Sequence, residues 1–494
     1  MRSQKLQPSN SLENVVKFTT KLQKFLIFLL PACLFLASYP QISLGGNDSM
    51  NLELSIPEIW LVFFSVASLF KLPQIWRKYR KLFLRTAIFP LYAVLSVCWS
   101  ANHLRGLLTA GLLILLWYSV WNVVLVLLDA EKIYRDKLRT VFLSTTAIFA
   151  VVCWLQCILD VFGAGRETSL LCLGCTSESF GFPHPNGLTL EPQFMGNLLI
   201  APTFYTFNLY LKRHQKKYLA LFAFLTSTLF LTFSRGAIYA FGVAFVARLV
   251  VEYIQTRQVQ RSTGSRTAGK SKFGYSLLTI PVIILSFAFT LTMQGVFAEL
   301  GPTSTDFVSA TTGAIHQLSL GKIDLRPERN ATPENEPQDT DTSAIDVSSA
   351  EQLPAQATTH SLPVFDGYVA ESTNVRVDLT NKALDAWNDS PRNSVFGTGL
   401  GSAGTALYQK FPDEMGTSKE IVQNEYASLL LELGLLGYIC LFISIFPFIK
   451  KISAIELSYL ITLCFFSGLP NAFHVYLFPP LVRTPEAEDA KNTN

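Results

Sequence analysis

Apolar runs of about 17 to 25 residues recur along the chain, each long enough to cross a hydrocarbon core of roughly 30 Å as a helix. Backbone N–H and C=O groups find no water inside a bilayer, so a chain built of such runs crosses it as helices that bond internally. Eleven runs are expected, at residues 25–40, 57–74, 82–101, 106–128, 140–162, 188–211, 217–233, 236–254, 274–298, 425–449 and 453–478. The expected fold is all-α: a polytopic membrane protein with about 11 transmembrane helices (10–12) and a large loop carrying short helices. Composition agrees, since 50% of the residues are apolar and 15% charged, too little charge for a soluble chain of 494 residues.

Charge then orients the bundle. Arg77–Lys81 follows the second run, Lys132–Arg139 the fourth, Lys212–Lys217 the sixth, Arg257–Lys272 the eighth and Lys450–Lys451 the tenth. All fall on one side with the N-terminus, which the positive-inside rule makes cytoplasmic. Lys17, Lys21 and Lys24 resemble the basic start of a signal peptide, but no clear small-residue cleavage site follows, so a retained first helix is expected. The net charge of +4 sits mostly in short inter-helix loops and gives no reason to expect nucleic acid as a partner.

The opposite, extracytoplasmic side receives loops 41–56, 102–105, 163–187 and 299–424. The chain thus divides into helices over 1–298, an extracytoplasmic loop over 299–424, C-terminal helices over 425–480 and a polar tail over 481–494. Within the loop, 322–361 has too few large apolar residues to offset its chain entropy and is expected to stay disordered. From Val375 a short amphipathic helix is expected with Arg376 at its start. Gly397, Gly399, Gly401 and Gly404 then suggest a flexible turn before a second small helix near Leu407–Tyr408. No strand precedes these glycines, so a dinucleotide-binding reading is rejected. The last run is interrupted at Ser467–Asn471, which leaves the side of the C-terminus open.

Six of the eight cysteines lie in or beside apolar runs and read as small buried hydrophobes. Cys172 and Cys175 form a lone CxxC in a loop, for which a local disulfide or two idle thiols is a better reading than zinc. No metal site is expected.

Four places carry residue types suited to chemistry. The first is the turn holding His184 and Asn186, leading to Thr189, Gln193 and Asn197 at helical spacing, either a polar face toward a substrate or helix–helix hydrogen bonding. His184, between two prolines, is either a base or a turn residue. The second is Arg235 in a hairpin with almost no loop, where the guanidinium either snorkels to headgroups or holds phosphate oxygens. The third is Arg376 and Arg392 in the large loop, with Arg376 at a helix N-terminus the better second phosphate contact. The fourth is Gln423, Asn424, Glu425, Ser428 and Glu432, of which Glu425, Ser428 and Glu432 share one helix face. A partly desolvated carboxylate there suits a general base for a sugar hydroxyl, whereas Glu432 paired with an arginine such as Arg235 would only hold helices together.

In this order along a polytopic chain, these stretches resemble the O-antigen ligase and O-unit polymerase family. The resemblance rests on Asn186 after its Pro-x-Pro turn, Ser234–Ala237, Pro391–Gly401, and Asn424–Tyr426 followed by Glu432, Gly434 and Gly437, and covers roughly residues 100–470 without the 322–361 insertion. It implies transfer of a glycan from a polyprenyl-diphosphate-linked donor to a glycan or glycolipid acceptor at the outer face of the inner membrane, without metal, cofactor or nucleotide sugar. It further implies that Arg235 and Arg376 hold the diphosphate. Family ligases carry a histidine before the asparagine of the late span; here Gln423 stands in its place, and an amide cannot take a proton at neutral pH. Either Glu425, Glu432 or His184 does that work, or the chemistry differs, or the protein is inactive, and the departure moves the reading from a strict ligase toward a polymerase-like or divergent member. A flippase for lipid-linked glycan, or an inactive family member, is the alternative.

Overall fold

The computed structural model describes residues 10–36, 41–47, 50–161, 176–177, 184–189, 191–263, 270–301, 306–319, 323, 325, 365–415, 422, 424–451 and 453–464. Helix α1, Asn10–Phe35, leads into an antiparallel hairpin of β1, Gln41–Asn47, and β2, Met50–Ser55. Ser55 and Glu58 form a capping box that starts α2, Ile56–Ser68. A 3-10 turn, Leu69–Lys71, joins it to α3, Leu72–Ser96, whose axis breaks at Tyr79 inside the basic cluster. The expected runs 57–74 and 82–101 therefore lie in one helical stretch, Ile56–Trp99. Next come α4, His103–Asp129, capped by Asn102, and α5, Lys132–Val161.

Strand β3, Thr176–Ser177, pairs with β4, His184–Pro185, before α6, Pro192–Arg213; α7, Lys216–Leu231; α8, Arg235–Thr263; and α9, Lys270–Leu300. The large loop contributes α10, Phe307–Leu318; α11, Phe365–Trp387; α12, Pro391–Phe396; and α13, Ala403–Lys410. Helices α14, Glu425–Ile445, and α15, Ala454–Thr462, close the described chain.

Among the described residues, 7 segments are long and apolar enough to cross a membrane, against the eleven expected. Merging of the second and third runs accounts for one. Helix α7 has only 16 residues, and α6 is diluted by Asn197, Thr203, Thr206 and Asn208. Most of 453–478 and nearly all of 322–361 lie outside the described residues, as do Cys172, Cys175 and Gln423. The fold is otherwise helical as expected, and the two small β pairings in loops 41–56 and 163–187 were not.

Helix α6 is the axis of the bundle. Almost every side chain from Phe194 to Leu211 is buried, because α5, α7, α8, α9 and α15 surround it. Its threonine hydroxyls bond within the helix: Thr203 donates to the Leu199 carbonyl at 2.7 Å and Thr206 to that of Thr203 at 2.8 Å. Large apolar side chains such as Phe63, Leu91, Leu107, Leu285 and Phe442 stay exposed on the outer helices, as a lipid-facing surface requires. A second core joins Phe89, Tyr92 and Ala93 of α3 to Leu113 of α4 and Leu429 and Leu433 of α14. A third joins Leu379 and Ala383 of α11 to Ala403 and Leu407 of α13 and Ala427 and Leu431 of α14.

Candidate functional site

Pro192 fixes where α6 begins, with Glu191 at the N-cap. Asn186 and Thr189 consequently precede the helix, and the polar face expected over Asn186, Thr189, Gln193 and Asn197 is helical only for the last two. Asn186 and Thr189 instead form a buried turn, in which the Thr189 N–H donates to the Asn186 carbonyl at 3.0 Å. Gln156 of α5 clamps that turn, accepting from the Gly187 N–H at 3.0 Å and donating to its carbonyl at 2.5 Å. Gly187, at φ +63, has Met195 so close that a Cβ would sit 2.8 Å from its sulfur. His184 is buried beside the turn, its ring 5.3 Å from that of Phe233. Burial pushes its pKa down to about 3, which leaves a neutral imidazole of low basicity.

The hairpin between α7 and α8 is as tight as expected, with Thr232–Ser234 as its whole length. Phe233 turns the chain in the left-handed region at φ 51, a conformation that costs a bulky residue about 1–3 kcal/mol. Its ring is buried against Ala298, Ala310 and Ala314, which offsets that cost. Ser234 caps α8 by accepting from the Ala237 N–H at 3.3 Å, and Arg235 follows half-buried. Its charge acts on Tyr239, one turn on, whose hydroxyl donates to the Leu318 carbonyl at the end of α10. The hairpin packs on the start of α6: a Cβ at Gly196 would lie 2.9 Å from Ala237 Cβ and 3.0 Å from Ser234 Cβ.

Gln193, one turn before Gly196 on the same face of α6, accepts a long hydrogen bond of 3.5 Å from Arg376 Nη2. Arg376 therefore comes to the first turn of α6 from the large loop, and the hairpin that carries Arg235 packs on the same helix at Gly196. Arg376 is not at a helix start, however. Helix α11 begins at Phe365, so Arg376 lies mid-helix and draws nothing from a helix N-terminus. Arg392, on the first turn of α12, is exposed.

Asn424 caps α14, its side chain accepting from the Ala427 N–H at 3.3 Å. Glu425 follows as the first helical residue and is 3% exposed. Its N–H donates to the Leu463 carbonyl at 2.9 Å, which ties it to the end of α15, and α15 packs against α6 and α8. Glu432 sits apart from Arg235. Its carboxylate accepts from the Ala403 N–H at 3.1 Å, also from that of Gly401, and feels the charge of Arg105 on α4. Arg105 and the α3–α4 turn gave no signal in the sequence beyond a short loop.

The Gly397–Gly401 stretch is not a flexible turn. It is wedged between α14 and the α3–α4 turn, where Leu400 N–H donates to Ser96 Oγ at 3.2 Å and Ser100 Oγ to the Leu400 carbonyl at 2.8 Å. Cβ atoms at Gly399 and Gly401 would lie 2.6 Å from Ser100 N and 2.7 Å from Gly106 N. No cluster of three or more His, Cys, Asp or Glu suited to a metal occurs among the described residues.

Residues 220–442 match the family model described as O-Antigen ligase. The match begins in α7 and ends in α14, so it contains Arg235, Arg376, the glycine wedge, Glu425 and Glu432, while His184, Asn186 and Gln193 lie before it. No curated protein and no solved structure matches the chain.

Proposed function

We infer that this chain, a member of the O-antigen ligase/polymerase family by its domain at residues 220–442, transfers glycan from a polyprenyl-diphosphate-linked donor to a glycan or glycolipid acceptor at the outer face of the cytoplasmic membrane. The observation that supports this reading is that two segments converge on the start of α6: α11, whose Arg376 reaches Gln193, and the hairpin that carries Arg235, whose Ser234 and Ala237 pack on Gly196. Two guanidinium groups at the mouth of a membrane bundle suit a diphosphate whose polyprenyl tail lies in lipid.

In that reaction the acceptor hydroxyl oxygen bonds to the anomeric carbon while the bond from that carbon to the diphosphate oxygen breaks. The electron pair leaves with the lipid diphosphate, and fixed guanidinium groups stabilise the charge that develops there. The hydroxyl proton goes to a base, for which Glu425 is the best placed of the candidates: a buried carboxylate tied through Leu463 to the helix that packs on α6 and α8. Burial makes His184 a weak proton acceptor, and the Glu432 carboxylate is engaged by backbone N–H groups. Asn186, Asn424 and Arg392 are assigned in this reading to sugar hydroxyls, as donors and acceptors.

Gel analysis of surface glycan in a deletion strain tests this. Complementation with the wild-type chain restores attached or extended glycan, whereas Arg235→Ala lowers it by about 100-fold or more, the loss typical of removing one charge-stabilising donor. Normal glycan in the deletion strain would refute the transferase reading. Accumulation of lipid-linked single units would assign polymerisation rather than ligation.

A further inference from the structure

Helix α14 is broken inside the bundle. Gly434 takes φ 63 and ψ −171, a conformation only glycine adopts readily, so the preceding turn loses its α-helical partners. Those carbonyls are satisfied from outside the helix: Leu431 accepts from Thr398 N–H at 2.9 Å, Glu432 from Gly399 N–H at 2.8 Å and Leu433 from the Tyr92 hydroxyl at 3.0 Å. The glycine wedge thus replaces one turn of hydrogen bonding in a membrane helix.

The Glu432 side chain continues the same join. Its carboxylate receives the Gly401 and Ala403 N–H groups where α13 begins, with the Arg105 charge nearby. From there α13 packs Ala403 and Leu407 on Leu379 and Ala383 of α11. Outside that core, Lys410 donates to Asp389 at 2.8 Å, and Lys382 bridges Asp378 at 2.7 Å and Glu414 at 2.9 Å. Arg376 lies on α11, one turn before Leu379, and reaches Gln193 from there.

We propose that Glu432 is a positioning residue: its carboxyl oxygen fixes the start of α13 on the broken α14, and through α13 it holds α11 with Arg376 at the first turn of α6. The proposal rests on the reading that Arg376 binds the donor diphosphate. A proton acceptor must present a free oxygen to the acceptor hydroxyl and must be ionisable. A positioning group needs only an oxygen that accepts from Gly401 and Ala403, which a glutamine also has.

Glu432→Gln and Glu432→Ala separate the two roles, read by glycan transfer across pH 5.5–8.5 and by spin-label distances between Asn388→Cys and His103→Cys in a background without native cysteines. Both label sites are exposed, one past the end of α11 and one at the start of α4. Glu432→Gln is expected to keep activity within about fivefold of wild type with the same pH profile and a single narrow distance distribution. Glu432→Ala, at normal membrane levels, is expected to lose at least about tenfold in activity and to broaden that distribution. An inactive Glu432→Gln with a narrow distribution would overturn the proposal, as would an unbroadened distribution in Glu432→Ala. If Arg376→Ala transfers normally while the distances behave as expected, it is the diphosphate reading that fails and not the docking role.

Discussion

His184 is enclosed by its pairing with Ser177 and by the ring of Phe233, and burial takes its pKa from 6.5 to about 3. The unfolded chain binds that proton below about pH 6.5 while the folded chain refuses it until about pH 3. The stability this residue contributes is therefore full above pH 6.5 and falls as pH drops toward 3, by up to about 1.4 kcal/mol per unit. Thermal unfolding of detergent-purified protein between pH 7 and 4 should show a steep loss in wild type and a shallower one in His184→Gln. An unchanged slope would mean that His184 already titrates normally in the fold. Residue types singled out this position as a base or a turn residue, but sequence could not say that it is sealed. Glu432 is similar: spacing put it on a face with Glu425, while its partners, Gly401, Ala403 and Arg105, come from two other segments that no periodicity connects.

At the scale of elements, the break in α14 and the wedge that fills it make a steric prediction. A Cβ at Gly434 would overlap the Val395 carbonyl and lie 2.6 Å from Gly397 N; one at Gly397 would overlap the Glu432 carbonyl and lie 2.6 Å from Leu433 N. Both glycines have positive φ, so Gly434→Ala or Gly397→Ala adds backbone strain to the overlap and should destabilise by about 2 kcal/mol or more. Gly111, in the middle of α4, has nothing within 4 Å of a Cβ, and Gly111→Ala should leave the melting temperature unchanged or raise it slightly. Melting curves of the three purified variants check the order, and equal effects at Gly111 and Gly434 would contradict the wedge. Hydropathy located α14 to within a few residues because its apolar run is continuous, and for the same reason it hid the break. The glycines were read as slack where they serve close approach. Helix α10 escaped notice because its Ser, Thr and Gly residues look like loop until Ala310 and Ala314 are seen packed on Phe233 and Ala298.

For the molecule as a whole, the recurrence of apolar runs was enough to foresee a helical membrane bundle. What it could not foresee is the assembly of the site, since Arg376 and Gln193 are 183 positions apart and meet through packing of α11 on α13 and α14 that no local pattern announces. The same packing gives an internal check on topology. The α3–α4 turn and the glycine wedge are in contact, so any side assigned to 100–106 must also be assigned to 397–401. If that side is extracytoplasmic, a cysteine at Asn388, exposed beyond α11, reacts with a membrane-impermeant maleimide in intact cells. A cysteine at Arg257, exposed near the far end of α8, reacts only after the cells are permeabilised. The reverse pattern would put Arg235 and Arg376 on the cytoplasmic face, where no outer-leaflet acceptor exists, and would remove the proposed transfer reaction along with the topology. The result thus tests the proposed function without any glycan being measured, because the proposed transfer requires both arginines on the side where an acceptor would be presented.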